Sequence, residues 1–150
     1  MNSEINLKRA TIEDVDSILA VERSVEGIKI YSAMTNRDEV AEDVVKNFVY
    51  LIERGGKVVG NISYELGDGN HAYLSGLAIM PEFQRQGIAR EAVKRILDIL
   101  KETKFISLVT HPENEKSISL YTSLGFKKDG EPKDNYFGDG QPRIRMVLKK

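Results

Sequence analysis

The sequence contains no cysteine, which excludes disulfide bonds, thiolate metal sites and a cysteine nucleophile. It also lacks an excess of charge of either sign, since 22 Lys and Arg against 23 Asp and Glu give a formal net charge of -1. That balance argues against a nucleic-acid-binding surface and against a polybasic membrane anchor. No apolar run approaches the roughly 20 residues of a membrane span. We therefore expect a cytoplasmic protein that binds neither nucleic acid nor membrane.

The length of the chain bears on its domain organisation. A chain of 150 residues can bury roughly 68–70% of its unfolded surface, which is enough for a sizeable core. We expect a single domain over 1–150. The segment 1–6 lacks a basic region followed by an apolar core, so we expect no signal peptide.

The most informative stretch, 74–100, has the pattern of a strand, a turn and a helix. The apolar residues 77–79 lead to Pro81, and a polar turn that contains Gly87 follows. The helical pattern is a row of apolar residues spaced by four: Ile88, Ala92, Ile96 and Leu100. Such a row lies on one face of a helix. The first turn of a helix has unpartnered N–H groups and a positive dipole end, so this turn is a candidate phosphate site.

Patterns along the rest of the chain predict the order β α α β β β α β α β β. Thr11 and Asp14 have the spacing of a capping box for the first helix. Thr35 or Asn36 is a cap for the second helix, and Gly125 is placed to end the last one. The second helix is predicted from the apolar row Val40, Val44 and Phe48. The order predicts a mixed α/β domain, or α+β, with helices on both faces of a sheet.

The turn differs from two well-known phosphate-binding motifs. It has no Gly-Lys-Ser/Thr ending, so it is not a P-loop, and it lacks the first glycine of G-x-G-x-x-G. Many strand–turn–helix connections contain a glycine for structural reasons alone. From the turn by itself, a structural role and a phosphate-binding role are both open.

Residues downstream make the pattern more specific. The helix opens with Gln84-Arg85-Gln86-Gly87-Ile88-Ala89, and Asn114, Tyr121 and Gly125-Phe126 follow it. Together they resemble the GNAT superfamily of acetyl-CoA-dependent N-acetyltransferases, over almost the whole chain. The resemblance implies a mostly antiparallel sheet of about seven strands flanked by about four helices, with the fourth and fifth strands splayed apart. It also implies acetyl-CoA as cosubstrate, an amine as acceptor and no metal.

The resemblance implies which residues bind acetyl-CoA. Backbone groups of Leu77, Ala78 and Ile79 in the fourth strand would bind the pantetheine arm, as an added strand binds a sheet edge. Backbone N–H groups of the turn would hold the pyrophosphate, and the turn residues are Gln84, Arg85, Gln86, Gly87, Ile88 and Ala89. Asn114 would bind the arm or order its loop. The structural alternatives are core packing for the strand residues and a helix cap for Asn114.

For catalysis, the resemblance implies that Tyr121 protonates the departing thiolate. The alternative is a tyrosine packed on the apolar face of its helix. No general base is evident, since Ser75 stands in the middle of the fourth strand, where many members of the family have a Glu. His71 and His111 are candidates by their chemistry, yet we expect both at the surface. Glu65 or a water relay is also open.

The acceptor is less well defined. Residues 135–146 resemble the last hairpin of peptide N-terminal acetyltransferases, including the ribosomal-protein alanine type, but similar tails occur in members that acetylate polyamines. Tyr31 and Tyr136 would line the acceptor site, although Tyr136 could equally pack in a strand. The acceptor is thus a small-molecule amine or a peptide N-terminus, and a homodimer is possible. The alternative function is a non-catalytic acyl-CoA-binding sensor.

Overall fold

The computed structural model describes residues 4–150; residues 1–3, part of the segment in which we expect no signal peptide, lie outside the described residues. Its strands are β1 (Asn6–Arg9), β2 (Phe48–Arg54), β3 (Lys57–Gly67), β4 (His71–Ile79), β5 (Phe105–Thr110), β6 (Lys127–Lys128) and β7 (Ile144–Lys149). Its helices are α1 (Val15–Ser24), α2 (Arg37–Lys46), α3 (Ile88–Ile99) and α4 (Glu115–Ser123). The predicted order of elements is confirmed. Within 4–150, no helix is long and apolar enough to cross a membrane.

The strands form one 7-stranded sheet in the order β1-β2-β3-β4-β5-β7-β6. Neighbouring strands are antiparallel except for β4 and β5, which run parallel. The predicted mixed α/β class with a mostly antiparallel sheet is therefore confirmed. β4 and β5 pair only from His71 opposite Phe105 to Leu74 opposite Leu108. Beyond these residues the two strands separate, which confirms the predicted splay.

Ser75 lies at the point where β4 leaves β5. On β3, Ser63 is opposite Gly76 and Tyr64 is opposite Leu74, so Ser75 is an extra residue on β4. A bulge of this kind bends the strand that carries it and increases its twist. From Ser75 onward, one edge of β4 has no partner strand among the described residues.

Different helices cover the two faces of the sheet. α3 and α4 pack on one face in the main core, which includes Ile96, Leu108 and Met146. α1 and α2 pack on the other face, against Val49 and Leu51 of β2. The predicted apolar row is at most 4% exposed throughout: Ile88, Ala92, Ile96 and Leu100. The buried face of α3 thus agrees with the face predicted from sequence.

The predicted helix caps are present, with corrections at the start of α1 and the end of α2. Thr11 and Asp14 form the capping box, with the Thr11 N–H donating to Asp14 Oδ2 at 2.9 Å, but it caps a 3-10 turn, Ile12–Asp14, that leads directly into α1. Asn36 is the cap of α2, and its Oδ1 accepts a backbone N–H of the first turn at 3.0 Å. Phe48 does not extend the apolar row of α2, because Asn47 ends the helix in an extended conformation and Phe48 begins β2.

The packing of α3 predicts a difference between two isoleucines on that helix. Ile96 is 0% exposed, whereas Ile99 is 48% exposed. Ile96→Ala leaves a cavity in the core, so we expect it to lower the free energy of unfolding by about 2–5 kcal/mol. The matched control Ile99→Ala should change it by within about 0.5 kcal/mol. Urea unfolding measures both, and equal losses would contradict the assigned buried face.

Candidate active site

A cleft of about 820 Å³ lies between the free edge of β4, the start of α3 and the start of α4. Most of the predicted donor-binding residues line it: Leu77, Ile79, Gln84, Arg85, Gly87, Ile88, Ala89 and Asn114. Two do not. Ala78 packs on the opposite side of β4 with Val21 and Val25, and Gln86 lies outside the cleft with its Nε2 donating to the Glu82 carbonyl oxygen at 3.3 Å.

The turn between β4 and α3 leaves the N-terminus of α3 uncapped. Gly87 is the N-cap residue in the left-handed region, at φ 81°, and no side chain caps the helix. A Cβ placed on Gly87 would meet no atom within 4 Å, so the space beside it is open. Gln84 Nε2 donates to the Ile79 carbonyl oxygen at 2.9 Å, which ties the turn to the end of β4. An open helix N-terminus suits a phosphate group.

Basic side chains surround this helix terminus. Arg85, Arg90 and Lys116 line the cleft. The Arg90 guanidinium is held against α4, since its Nη1 donates to Ser123 Oγ at 2.8 Å. The positive dipole end of α3 and these cations repel one another unless an anion lies between them. Two carboxylates, Glu113 and Glu115, line the cleft as well, and Glu113 is paired with Lys29 at 2.9 Å. The uncapped terminus of α3, with Arg85 and Arg90 in the same cleft, suits an anionic group such as a diphosphate.

Asn114 and Tyr121, the two predicted residues of α4, differ in their surroundings. Asn114 caps α4, with Oδ1 accepting the Ser117 N–H at 3.2 Å, and it also lines the cleft. Tyr121 is buried, and its ring centroid lies 5.6 Å from that of Phe126. Burial raises the pKa of the Tyr121 phenol well above its usual value, so the group is protonated near neutral pH. Tyr121 is not among the residues that line the cleft, and its catalytic role stays a prediction.

A second cavity of about 100 Å³, here called the inner cavity, lies between the sheet and helices α1 and α2. Its polar lining consists of Glu22, Asp43, Asn61, Ser63 and Ser75. Tyr31 and Leu77 line both the cleft and the inner cavity. The two spaces therefore adjoin one another at the part of β4 that has separated from β5.

Glu22 is a candidate functional residue that the sequence analysis missed. The Met34 N–H donates to Glu22 Oε1 at 2.8 Å. Partial burial raises the pKa of the carboxyl above its usual value, and nearby Asp43 adds a smaller effect in the same direction. A signal was available, because Glu22 is four residues after Ile18 and three before Val25, which are both buried. A carboxylate on the apolar face of a helix is uncommon.

The expectation that both histidines lie at the surface is wrong for His111, which is 1% exposed. Its Nδ1 accepts the Glu113 N–H at 3.0 Å, so its Nε2 donates to Gln141 Oε1 at 2.9 Å. The segment between β6 and β7 covers the end of β5 at this point, a long-range contact that no local pattern predicts. His71 is half-buried, and its Nε2 lies 2.8 Å from Ser107 Oγ. Neither ring lines the cleft or the inner cavity.

The two predicted acceptor-binding tyrosines lie in different places. Tyr31 lines both spaces. Tyr136 lies between β6 and β7, is 39% exposed, and packs edge-on against Phe137 with 5.0 Å between ring centroids. Burial raises the pKa of Tyr73 on β4 to about 12, with smaller effects from Tyr136 and Glu65. Tyr136 and Glu65 thus border Tyr73, outside the inner cavity.

Comparisons with known proteins were consistent with this geometry. Residues 14–126 match the model of the acetyltransferase (GNAT) family. Over 108 residues the chain is 34% identical to the spermidine N(1)-acetyltransferase of Escherichia coli K12, covering 66% of this chain and 56% of that protein. Over 81 residues it is 28% identical to the ribosomal protein bS18-alanine N-acetyltransferase of Salmonella typhimurium, covering 53% and 54%. The chain thus spans about half the length of these curated relatives.

Solved structures share the fold over nearly the whole chain. The ribosomal-protein-S18-alanine N-acetyltransferase of Escherichia coli superposes with a TM-score of 0.81 at 21% identity, covering 97% of this chain and 94% of that one. The PaiA N-acetyltransferase of Thermoplasma acidophilum, solved in complex with coenzyme A, gives a TM-score of 0.78 at 20% identity, covering 98% and 99%. At identities this low, the comparison shows a shared fold only.

The open helix terminus predicts that Gly87→Glu weakens the binding of coenzyme A. The substitution places a side chain and a negative charge beside the N-terminus of α3, where we expect a phosphate. Gly69→Glu is the matched control, because Gly69 also has a positive φ, 70°, and open space around it, but lies in the β3–β4 turn. By calorimetry, Gly87→Glu should bind coenzyme A at least about tenfold more weakly than the wild-type protein, whereas Gly69→Glu should bind it as the wild type does. Equal affinities in the two variants would contradict the assignment.

Proposed function

The chain belongs to the GNAT acetyltransferase family, and we propose that it transfers an acetyl group directly from acetyl-CoA to a primary amine of a small molecule or a peptide N-terminus. The observation that carries the proposal is the continuity of the cleft, which joins the unpaired edge of β4 to the uncapped N-terminus of α3. An extended amide-containing arm with a diphosphate at its end matches those two features.

In this proposal the chain binds the donor through its backbone. The free edge of β4, with Leu77, Ala78 and Ile79, pairs with the amide groups of the pantetheine arm. The arm ends with its thioester near Leu77, whose N–H polarises the acetyl carbonyl. The turn from Gln84 to Ala89 holds the pyrophosphate, with Arg85 and Arg90 close by. All of these residues except Ala78 and Gln86 line one cleft, which supports the assignment.

Acetyl transfer also needs a proton for the departing sulfur. Tyr121 is proposed to supply it, because its phenol stays protonated over the whole physiological pH range. A protonated phenol can donate this proton to the sulfur as the C–S bond breaks. Asn114, as the cap of α4, fixes the start of the helix that carries Tyr121.

The acceptor is proposed to enter from the side of β4 that faces α1 and α2. Tyr31 belongs to this entrance because it lines both the inner cavity and the cleft, and Tyr136 is proposed to lie at its outer edge. Among the relatives are enzymes named for spermidine and for a ribosomal-protein alanine. Both names describe amines, and they support an amine acceptor without choosing between the two types.

The proposed activity is tested by measuring thiol release from acetyl-CoA over a panel of alkylamines, polyamines and short peptides. We expect at least one of these acceptors to stimulate release and to yield an N-acetylated product. If coenzyme A binds but no acceptor stimulates release, the proposed function is wrong.

The role proposed for Tyr121 is tested with an acceptor from that panel. Tyr121→Phe removes only the hydroxyl, so kcat should fall by about 10²–10⁴-fold while the affinity for coenzyme A stays unchanged. Tyr50→Phe is the control, since Tyr50 is a half-buried tyrosine on β2 that lines neither space. A Tyr121→Phe enzyme with the wild-type rate at every pH would exclude Tyr121 as the acid.

A further inference from the structure

The inner cavity lies on the acceptor side of β4 and brings several polar groups together in a small space. Glu22 comes from α1, Asp43 from α2, and Asn61 from β3, while Ser75 is the bulge residue of β4. The Ser75 hydroxyl is engaged by another hydroxyl, since Ser63 Oγ lies 3.0 Å from Ser75 Oγ. The carboxylates therefore dominate the chemistry of this space, and they favour a cationic group.

Of the two carboxylates, Glu22 is the one that the buried amide of Asn61 faces. Its Oε1 accepts the Met34 N–H at 2.8 Å, and among residues 4–150 no Lys or Arg forms a salt bridge with it. Asp43 likewise accepts one hydrogen bond, from Asn47 Nδ2 to its Oδ1 at 2.8 Å. A half-buried carboxylate without a countercation is stabilised by any cation that enters the cavity.

Asn61 places in the same cavity a polar group that has no partner among the described residues. Asn61 is 5% exposed, and its Nδ2 is buried and forms no hydrogen bond of acceptable geometry with any described residue. The amide faces Glu22 closely enough to lower the pKa of that carboxyl, although burial outweighs this effect. A buried amide nitrogen without a partner is destabilising. An ammonium group has no acceptor atom, so a water that enters the cavity beside the ligand would accept from this amide.

The size of the cavity limits what can enter. An apolar cavity of about 150 Å³ accommodates benzene, with six heavy atoms, so the inner cavity of about 100 Å³ has room for roughly four. That space accepts the amino group and the first carbons of a straight chain. It does not accept a carbon with three further substituents next to the nitrogen.

On the basis of the proposed acetyl transfer, we infer that Glu22 binds the ammonium group of the acceptor in the inner cavity and takes a proton from it. The acceptor carries this ammonium group on an unbranched chain. The ammonium gives one proton to the Glu22 carboxylate. The free electron pair of nitrogen then forms the N–C bond to the acetyl carbon, and the C–S bond breaks. The sulfur leaves as thiolate and is protonated to the thiol, while nitrogen loses its second proton to solvent.

The acid limb of the pH profile follows from the groups that face Glu22. These are the Asp43 carboxylate from α2, the phenol of Tyr31, and the uncharged amide and hydroxyls of Asn61, Ser63 and Ser75. Glu22 must be ionised to accept a proton, and its pKa is raised. Activity should therefore be lost as the pH falls through that raised value.

The test uses n-butylamine and tert-butylamine, two isomers of similar basicity that differ in width. The wild-type protein should acetylate n-butylamine with a kcat/KM at least about tenfold higher than that for tert-butylamine. Glu22→Gln, which keeps the hydrogen bond from Met34, should lower kcat/KM for n-butylamine by about 10²–10⁴-fold. It should also remove the acid limb of the pH profile and leave the affinity for acetyl-CoA unchanged. Glu26→Gln, at an exposed position just beyond α1, is the matched control and should behave as wild type.

The outcomes separate this inference from the function on which it rests. A Glu22→Gln protein that keeps its rate within about threefold and retains the acid limb overturns the role of Glu22. Equal rates for the two isomers, or a higher kcat/KM for an alanyl peptide than for n-butylamine, overturn the unbranched acceptor. If the wild-type protein acetylates no amine, the proposed function itself fails. If the Glu22→Gln protein does not fold, the pH profile of the wild-type protein still tests the role of Glu22, and the comparison of the two isomers still tests the unbranched acceptor.

Discussion

The structure depends on one interruption in backbone pairing, the separation of β4 from β5 after Leu74. Had the parallel pair continued to Ile79, the sheet itself would have satisfied the backbone groups of β4. The extra residue Ser75 bends β4 away instead. Backbone groups left without a partner strand are costly unless water or a ligand satisfies them. The free edge of β4 is therefore suited to bind an extended chain, which is what the proposed donor presents.

The same separation sorts charge to the two sides of β4. On one side, Arg85 and Arg90 border the N-terminus of α3, and on the other, Glu22 and Asp43 line the inner cavity. An anionic donor and a cationic acceptor would therefore be drawn to opposite sides of a single strand. Leu77 borders both spaces, so the reacting groups would meet beside this residue.

Local sequence patterns were sufficient to predict most of the fold and the donor side of the site. The spacing of Ile88, Ile96 and Leu100 predicts the buried face of α3, and the turn around Gly87 predicts the open helix terminus, because these features depend on neighbours along the chain. The acceptor side depends on contacts between distant segments. His111 is buried by Gln141, 30 residues away, and Glu22 is held by Met34 across the irregular segment after α1. No local period encodes such contacts.

The close contacts at the Ser75 bulge give a physical reason why the proposed base, Glu22, is on α1 and not on β4. Ser75 Oγ lies 3.0 Å from Ser63 Oγ, and a Cβ on Gly76 would lie 2.9 Å from the same Ser63 oxygen. A side chain at Gly76 would require the Ser63 hydroxyl to move, and a glutamate at Ser75 would remove the hydroxyl that pairs with it. A carboxylate on the facing helix reaches the same space without disturbing the bulge. Because Met34 holds Glu22, the segment that leads into α2 would then control both the entry of the acceptor and the position of the base.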